Sequence, residues 1–182
     1  MPSTVDGRRA RGDLRRGKLL DAGLRVVERD GVAALTHRSV AKEANLAATA
    51  GTYYFPTVDD LLVAVIDAGI RRFAAEIAAA LAPEPSVRAY AEFAARYARD
   101  HPGRLIAEYE LYTLAARRPE LRSAALSFNA MLHDIVANWS SDEAARGAAL
   151  TAVDGLFIQT LLGRPPSADM IEQMLERALG RH

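Results

Sequence analysis

Apolar positions in this chain recur every three or four residues and almost nowhere every two. Leu20, Leu24 and Val27 share one face of a segment from about Leu14 to Asp30, and Gly31 stops it. Thr36 can N-cap a short helix whose apolar face is Val40, Ala41 and Ala44. Asn45 falls where the chain must reverse, because Asn tolerates the left-handed conformation a helix stop needs. A second short helix of small residues, Ala47 to Thr52, runs into Tyr53-Tyr54-Phe55. Pro56 breaks the chain, and Thr57 with Asp60 is a capping-box opening for a long helix. That helix reaches about Leu81, with Leu61, Leu62, Val65, Ile66, Ile70, Phe73 and Ile77 inside.

The same period continues beyond Pro83-Glu84-Pro85. Ser86 caps a helix carrying Tyr90, Phe93 and Tyr97 and ending before Pro102. The next has Leu105, Tyr109 and Tyr112 on one face and stops at Pro119. A third carries the stripe Leu121, Ala125, Phe128, Leu132, Val136 and Trp139. Ser140 with Glu143 reads as a capping box opening an eighth helix, which is apolar almost all round from Ala148 to Ile158. A helix like that is buried on more than one side, and its second side is expected against another subunit. Pro165-Pro166 precedes a last helix, Ser167 to Leu179, stopped by Gly180. The expectation is an all-α chain of about nine helices: an N-terminal three-helix head, residues 1–56, and a larger body, residues 57–182.

Composition narrows the function classes. With no cysteine there is neither a disulfide framework nor a thiolate zinc site. The Arg-rich start has no apolar core segment, so it does not read as a signal peptide. The most apolar stretch, residues 148–163, is too short for a bilayer and holds Asp154. A cytoplasmic protein without a membrane partner is therefore expected. Net charge is zero, but it divides unevenly. Residues 1–55 carry ten Lys+Arg and six Asp+Glu, a net +4, and the remainder carries a net −4. Arg8, Arg9, Arg11, Arg15, Arg16 and Lys18 form a cationic arm suited to phosphates or a narrow minor groove.

Two short helices joined by a tight turn in a basic head form a helix-turn-helix, whose second helix can enter a major groove. The residues resemble the TetR family of transcriptional regulators. The matching features are Thr36 and Arg38, Val40-Ala41, Glu43-Ala44, the closing Tyr53-Tyr54-Phe55, then Pro56 and Asp59-Asp60-Leu61. The preceding Val26-Val27-Glu28-Arg29-Asp30-Gly31 is similar too. Glu110-Leu111-Tyr112 through Arg117-Arg118-Pro119-Glu120-Leu121-Arg122 resembles one C-terminal subfamily more briefly. Asn45 and Thr49 stand where Gly is common in the family, and Ala47 where a capping Ser or a Pro is common. Ala47 is a weak cap, so the second short helix is expected to fray or start later.

Candidate DNA contacts are Arg15, Thr36, His37, Arg38, Ala48, Thr49, Thr52 and Tyr53, with Tyr53 and Thr57 implied as phosphate contacts by the resemblance. The second short helix has no Arg, Asn or Gln for bidentate base contacts. Readout would then lean on apolar contacts, Arg38 and DNA shape. Phe55 reads as core. In the body, Tyr90, Phe93, Tyr97, Tyr109, Tyr112, Phe128, Met131 and Trp139 are candidates to line a ligand cavity. Among the charged residues of that region, Glu92, Glu108, Glu110, His133 and Asp154, only Asp154 sits inside an apolar helix and stands out. A neutral or weakly polar organic effector is expected, with Tyr109 and Tyr112 as its leading contacts. Candidates for a dimer interface are Gly147, Leu150, Gly155, Leu156, Phe157, Leu161, Met170 and Met174.

There is no nucleophile elbow, no Gly-rich phosphate loop and no H-E-x-x-H, and the four histidines are scattered. No enzyme, metal or cofactor is expected. The reading is a homodimeric, ligand-responsive regulator on double-stranded, palindromic operator DNA, more a repressor than an activator, with a small organic effector. Its rivals are a regulator without an effector, and a helical enzymatic or partner-binding body carrying an incidental DNA head.

Overall fold

The computed structural model describes the chain from residue 4 to residue 181, with side chains from residue 10 onward. The side chains of Arg8 and Arg9 in the expected arm lie outside the described residues. Among the described residues there are nine α-helices and no strand. They are α1 (Thr4–Asp30), α2 (His37–Glu43), α3 (Thr49–Tyr54), α4 (Val58–Leu81), α5 (Val87–Asp100), α6 (Pro102–Ala115), α7 (Pro119–Ala137), α8 (Glu143–Leu161) and α9 (Ala168–Ala178). A single 3-10 turn, Val32–Ala34, follows α1. No helix among the described residues is long and apolar enough to cross a membrane. The helices form two compact units, Met1–Gly69 and Ile70–His182, which divide inside α4.

In the first unit α1 begins well before the expected Leu14, so the cationic arm is helical. Arg and Ala are good helix formers, and the arm has too few apolar residues to show a period. Gly31 ends α1 at φ 81°, its N–H donating to Val27 O at 2.9 Å. Thr36 and Ser39 cap α2 reciprocally. Ser39 N–H donates to Thr36 Oγ1 at 3.0 Å, and Thr36 N–H to Ser39 Oγ at 2.9 Å. Asn45 turns the chain at φ 52°. Helix α3 starts late, at Thr49, because Ala48 offers no side chain to its free N–H groups.

Leu19, Val26, Val40, Leu61 and Val65 fill the core of this unit. Leu24, expected in that core, is only half-buried and lies over Gly69 instead. Gly23 lies directly against Val65, leaving no room for a Cβ, so α1 and the start of α4 approach closely. Arg25 and Arg29 both reach Glu43, at 2.9 and 3.0 Å, and join α1 to α2. Those two guanidinium groups, Arg25 first, hold the Glu43 carboxyl below its ordinary range.

The second unit is built around α5. Its buried face carries Tyr90, Ala91, Ala94 and Tyr97 and packs with Ile77, Val136, Ala149, Val153, Ile171 and Leu175. Ser86 and Ser167 cap α5 and α9, accepting from Ala89 N–H at 3.1 Å and Met170 N–H at 3.2 Å. Two expectations change here. Pro119 opens α7 in its first turn, where a missing N–H costs nothing, while α6 has already ended at Ala115. The cap of α8 is Asp142, accepting from Ala144 N–H at 2.9 Å; Ser140 instead accepts from Asp142 N–H at 3.1 Å in the turn before it.

Candidate functional site

The candidate DNA contacts of the head lie on α2, α3 and the start of α4, with Arg15 on α1. Arg38, Ala48, Thr49, Thr52 and Thr57 are exposed, as is Arg15 on α1. Tyr53 is 80% exposed, which is unusual for a tyrosine that closes a short helix against Tyr54. The other candidates already hold local bonds. Thr36 is occupied as the cap of α2. Thr57 Oγ1 donates to Asp60 Oδ2 at 2.7 Å and accepts from Asp60 N–H at 3.0 Å, completing the expected capping box. Thr52 Oγ1 donates to Thr49 O at 3.1 Å.

His37, put forward as a DNA contact, turns inward. Its Nε2 bonds to Phe55 O at 2.8 Å, and its side chain packs where α2 crosses Gly51. A Cβ on Gly51 would stand 3.1 Å from His37 Cβ and 3.3 Å from its Cα, so glycine permits this helix crossing. Phe55 is buried, as expected, and the Arg16 guanidinium lies 5.3 Å from its ring centre. Arg16 therefore braces the end of α3.

In the body one cleft, of about 430 Å³ measured out to its open mouth, gathers side chains from α4 to α8. Its walls are mainly aromatic: Phe73, Tyr90, Phe93, Tyr97, Phe128 and Phe157. Phe73 is the hub, meeting Phe93, Tyr97 and Phe128 edge-on with ring centres 5.6, 5.0 and 5.5 Å away. The enclosed part has room for about one water molecule. Tyr90, Phe93, Tyr97, Phe128 and Asp154 of the sequence candidates line this cleft; Tyr109, Tyr112, Met131 and Trp139 do not.

The displaced aromatics have other tasks. Helix α7 ends at Ala137, so Trp139 leaves its stripe and its Nε1–H donates to Pro85 O at 2.9 Å. Tyr109 donates its hydroxyl proton to Asp154 O at 3.0 Å, tying α6 to α8. Tyr112 packs behind Phe128, 6.4 Å between ring centres.

Two carboxyls share the cleft, and no Arg, Lys or His lines it. Glu108 makes no hydrogen bond or ion pair among the described residues. Burial away from water, with a smaller push from Asp154, moves its carboxyl up to about 8. Desolvation also raises Asp154 above the ordinary range. Burial, together with these two carboxyls, raises the tyrosine hydroxyls of Tyr90, Tyr109 and Tyr112. Glu108 was passed over in the sequence because charges on helices usually face water. The available signal was its position, sharing a helical face with Leu105 and Tyr112.

Helix α8 has two faces. Leu150, Val153, Asp154 and Phe157 turn to the cleft, so Leu150 and Phe157 from the expected dimer surface point inward, and Leu156 packs against the core. The outward face is apolar and open in the single chain. Ile158 is 46% exposed and Leu162 70%, with Gly155 and Leu161 beside them and Met170 (51% exposed) and Met174 on α9. Gly147 has nothing within 4 Å of a would-be Cβ. Ile158 and Leu162 were not among the sequence candidates. Among the described residues no group of three or more His, Asp or Glu is placed to hold a metal.

Comparison with known proteins agrees with this geometry. Residues 81–181 match the family model described as "Tetracyclin repressor-like, C-terminal domain". A TetR-family protein from Streptomyces coelicolor A3 superposes with a TM-score of 0.77 at 33% identity, over 90% of this chain and 97% of that one. The multidrug binding protein EbrR, solved with proflavin, superposes with a TM-score of 0.71 at 33% identity, over 90% of this chain and 99% of that one. EbrR structures with ethidium and with malachite green match as well, with TM-scores of 0.74 and 0.73. The HTH-type transcriptional regulator BetI of Rhizobium meliloti is 28% identical over 93% of this chain and 89% of its own length. The chain belongs to the TetR family of ligand-responsive, DNA-binding transcriptional regulators.

Proposed function

We propose that the protein is a homodimeric repressor released from a palindromic operator by an aromatic organic cation. The observation that carries the ligand class is the pair Glu108 and Asp154, set among six aromatic rings with no cationic side chain in the cleft. Two carboxyls with no cationic side chain beside them, Glu108 the more desolvated and Asp154 the more exposed, attract a cation, and ring faces add cation–π attraction. Proflavin, ethidium and malachite green, with which EbrR was solved, are aromatic cations, and this supports the same class here. The neutral effector expected from the tyrosines gives way to a charged one, because Glu108 and Asp154 line the walls while Tyr109 and Tyr112 do not.

The head, residues 1–56, would read DNA through Arg38, Thr49, Thr52 and Tyr53, with Arg15 and Thr57 on phosphates. The body, residues 57–182, would bind the effector and dimerise through the outward face of α8 and α9. The dimer sets two heads on half-sites about one DNA turn apart. Helix α4 belongs to both units, and its Phe73 lies in the cleft wall, so a ligand seated there displaces the helix that continues into the head. The water-sized free space favours a second reading, a regulator with no effector.

Ethidium titration decides between them. Micromolar binding that weakens in Glu108→Gln, and release of the protein from its own promoter DNA in a gel-shift assay, support the first reading. Absence of ethidium, proflavin and malachite green binding to a folded protein leaves the second.

A further inference from the structure

We propose that the cleft exchanges a proton for its ligand: Glu108 is a neutral carboxylic acid in the empty protein and releases its proton to solvent when an organic cation takes the site. The inference rests on the cationic effector proposed above. Its basis is geometric. Glu108 stands in a wall of aromatic and aliphatic side chains, and no Arg, Lys or His shares the cleft. The other carboxyl lining the cleft is Asp154, on α8, whose charge also disfavours a carboxylate at Glu108. A carboxylate in such a place would have little water around it and no counter-ion, which favours keeping the proton on. This agrees with the direction in which burial moves it, up to about 8.

The other groups facing Glu108 do not take over this role. On α5 they are the Tyr90 and Tyr97 hydroxyls, and on α6 itself Tyr109 and Tyr112. The hydroxyls of Tyr90, Tyr109 and Tyr112 are pushed above their ordinary range and stay protonated. From α4 and α7 come only Phe73, Phe128 and Leu132. Arg72 and Arg104 are engaged with Glu76 and are not among the lining residues. His101 touches the Tyr97 ring at 5.6 Å but does not line the cleft. Asp154 on α8 is the remaining titratable group, at the same site.

When a cation enters, its charge replaces the missing counter-ion. The O–H bond of Glu108 breaks, the electron pair stays on the carboxylate, and the proton passes to water or buffer. Cation and proton then compete, and affinity rises with pH until the empty site is itself ionised. The expected slope is about tenfold in Kd per pH unit below that point, with about one proton released per cation.

Ethidium is a suitable probe because its charge does not change with pH. Its binding to the full-length protein is measured from pH 6 to pH 8.5 by calorimetry in buffers of different ionisation heat. Kd that tightens with pH and levels near 8, with proton release below that, supports the exchange. In Glu108→Gln the slope and the release should vanish while weak binding remains; in Asp154→Asn the release should persist, moved to lower pH. Ethidium binding with a flat Kd and no proton release overturns the exchange while leaving the cationic effector standing. Proton release that persists in Glu108→Gln assigns it to another group and also overturns it. If ethidium binds at no pH, the effector reading and this inference fall together. If Glu108→Gln does not fold, the wild-type proton count and the Asp154→Asn shift still decide.

Discussion

At Asn45 the main chain takes φ 52°, the single non-glycine residue in the left-handed region among those described. An Asn side chain visits that region more readily than any branched or apolar one, and so the turn between α2 and α3 holds. Asn45→Ala should cost about 1 kcal/mol in urea unfolding while Asn45→Gly stays within about half of that. An unchanged midpoint for Asn45→Ala would show that the turn is not strained. Glu108 gives the opposite lesson about reading single residues. The caps at Thr36, Thr57 and Ser86 were legible because each needs only its own helix. The role of Glu108 depends on what α4, α5, α7 and α8 bring against it, which no local pattern carries. Its folded-state titration lies above the unfolded one, so the neutral form favours folding. That contribution is complete below about pH 4.5 and is lost as pH rises through about 8. Thermal stability should therefore fall between pH 5 and 8 in the wild type, and Glu108→Gln should flatten the profile; parallel profiles would remove Glu108 as the cause.

Helices were easier to find than to orient. Pro102, Pro119 and the capping residues mark where α6 to α9 begin, but the Ser140–Glu143 pattern put the cap of α8 two residues early, and hydrogen bonding selects Asp142. The start of α1 was missed because an Arg-rich helix end has no apolar stripe. The all-round apolar character of α8 was legible, yet which stripe faces the cleft is set by its crossing with α5, α6 and α9. That crossing assigns Phe157 to the cleft and Ile158 and Leu162 to the open side. Ile158→Glu with Leu162→Glu should leave the helical content intact and halve the mass seen by light scattering, if the proposed dimer seam lies on that face. Phe157→Glu should instead weaken ethidium binding; a persistent dimer in the double variant would move the seam elsewhere. The α5–α9 seam separates packing from charge. Ile171 is fully buried, so Ile171→Ala should cost about 3 kcal/mol. Arg88 reaches Asp169, Glu172 and Glu92 at 2.6, 2.8 and 2.8 Å, but on the surface, and Arg88→Ala should barely move the denaturation midpoint.

For the whole molecule, a basic head and an acidic body on one neutral chain keep DNA attraction local, and that asymmetry was readable from charge counts alone. How the two functions would communicate was not, because the proposed route runs through α4, which spans the division between the units. Within the body, Arg104 on α6 holds Glu76 on α4 at 3.2 Å, and Arg72 holds the same carboxylate at 3.0 Å from one turn away. In the proposed mechanism a ligand that moved α6 beside Glu108 would pull on α4 through this pair as well as through Phe73. Coupling of this kind is reciprocal: the factor by which ethidium weakens operator binding must equal the factor by which operator weakens ethidium binding, typically 5–150-fold, or about 1–3 kcal/mol. Both factors are measurable, the first by fluorescence anisotropy of labelled promoter DNA with and without ethidium, the second by ethidium titration with and without DNA that the dye itself does not saturate. Arg104→Met keeps the apolar stem but removes the grip on Glu76. Each separate affinity should stay close to wild type while the shared factor shrinks several-fold. Loss of ethidium affinity with an unchanged factor would place Arg104 in ligand binding and not in transmission, and an unchanged factor with both affinities intact would leave Phe73 as the route.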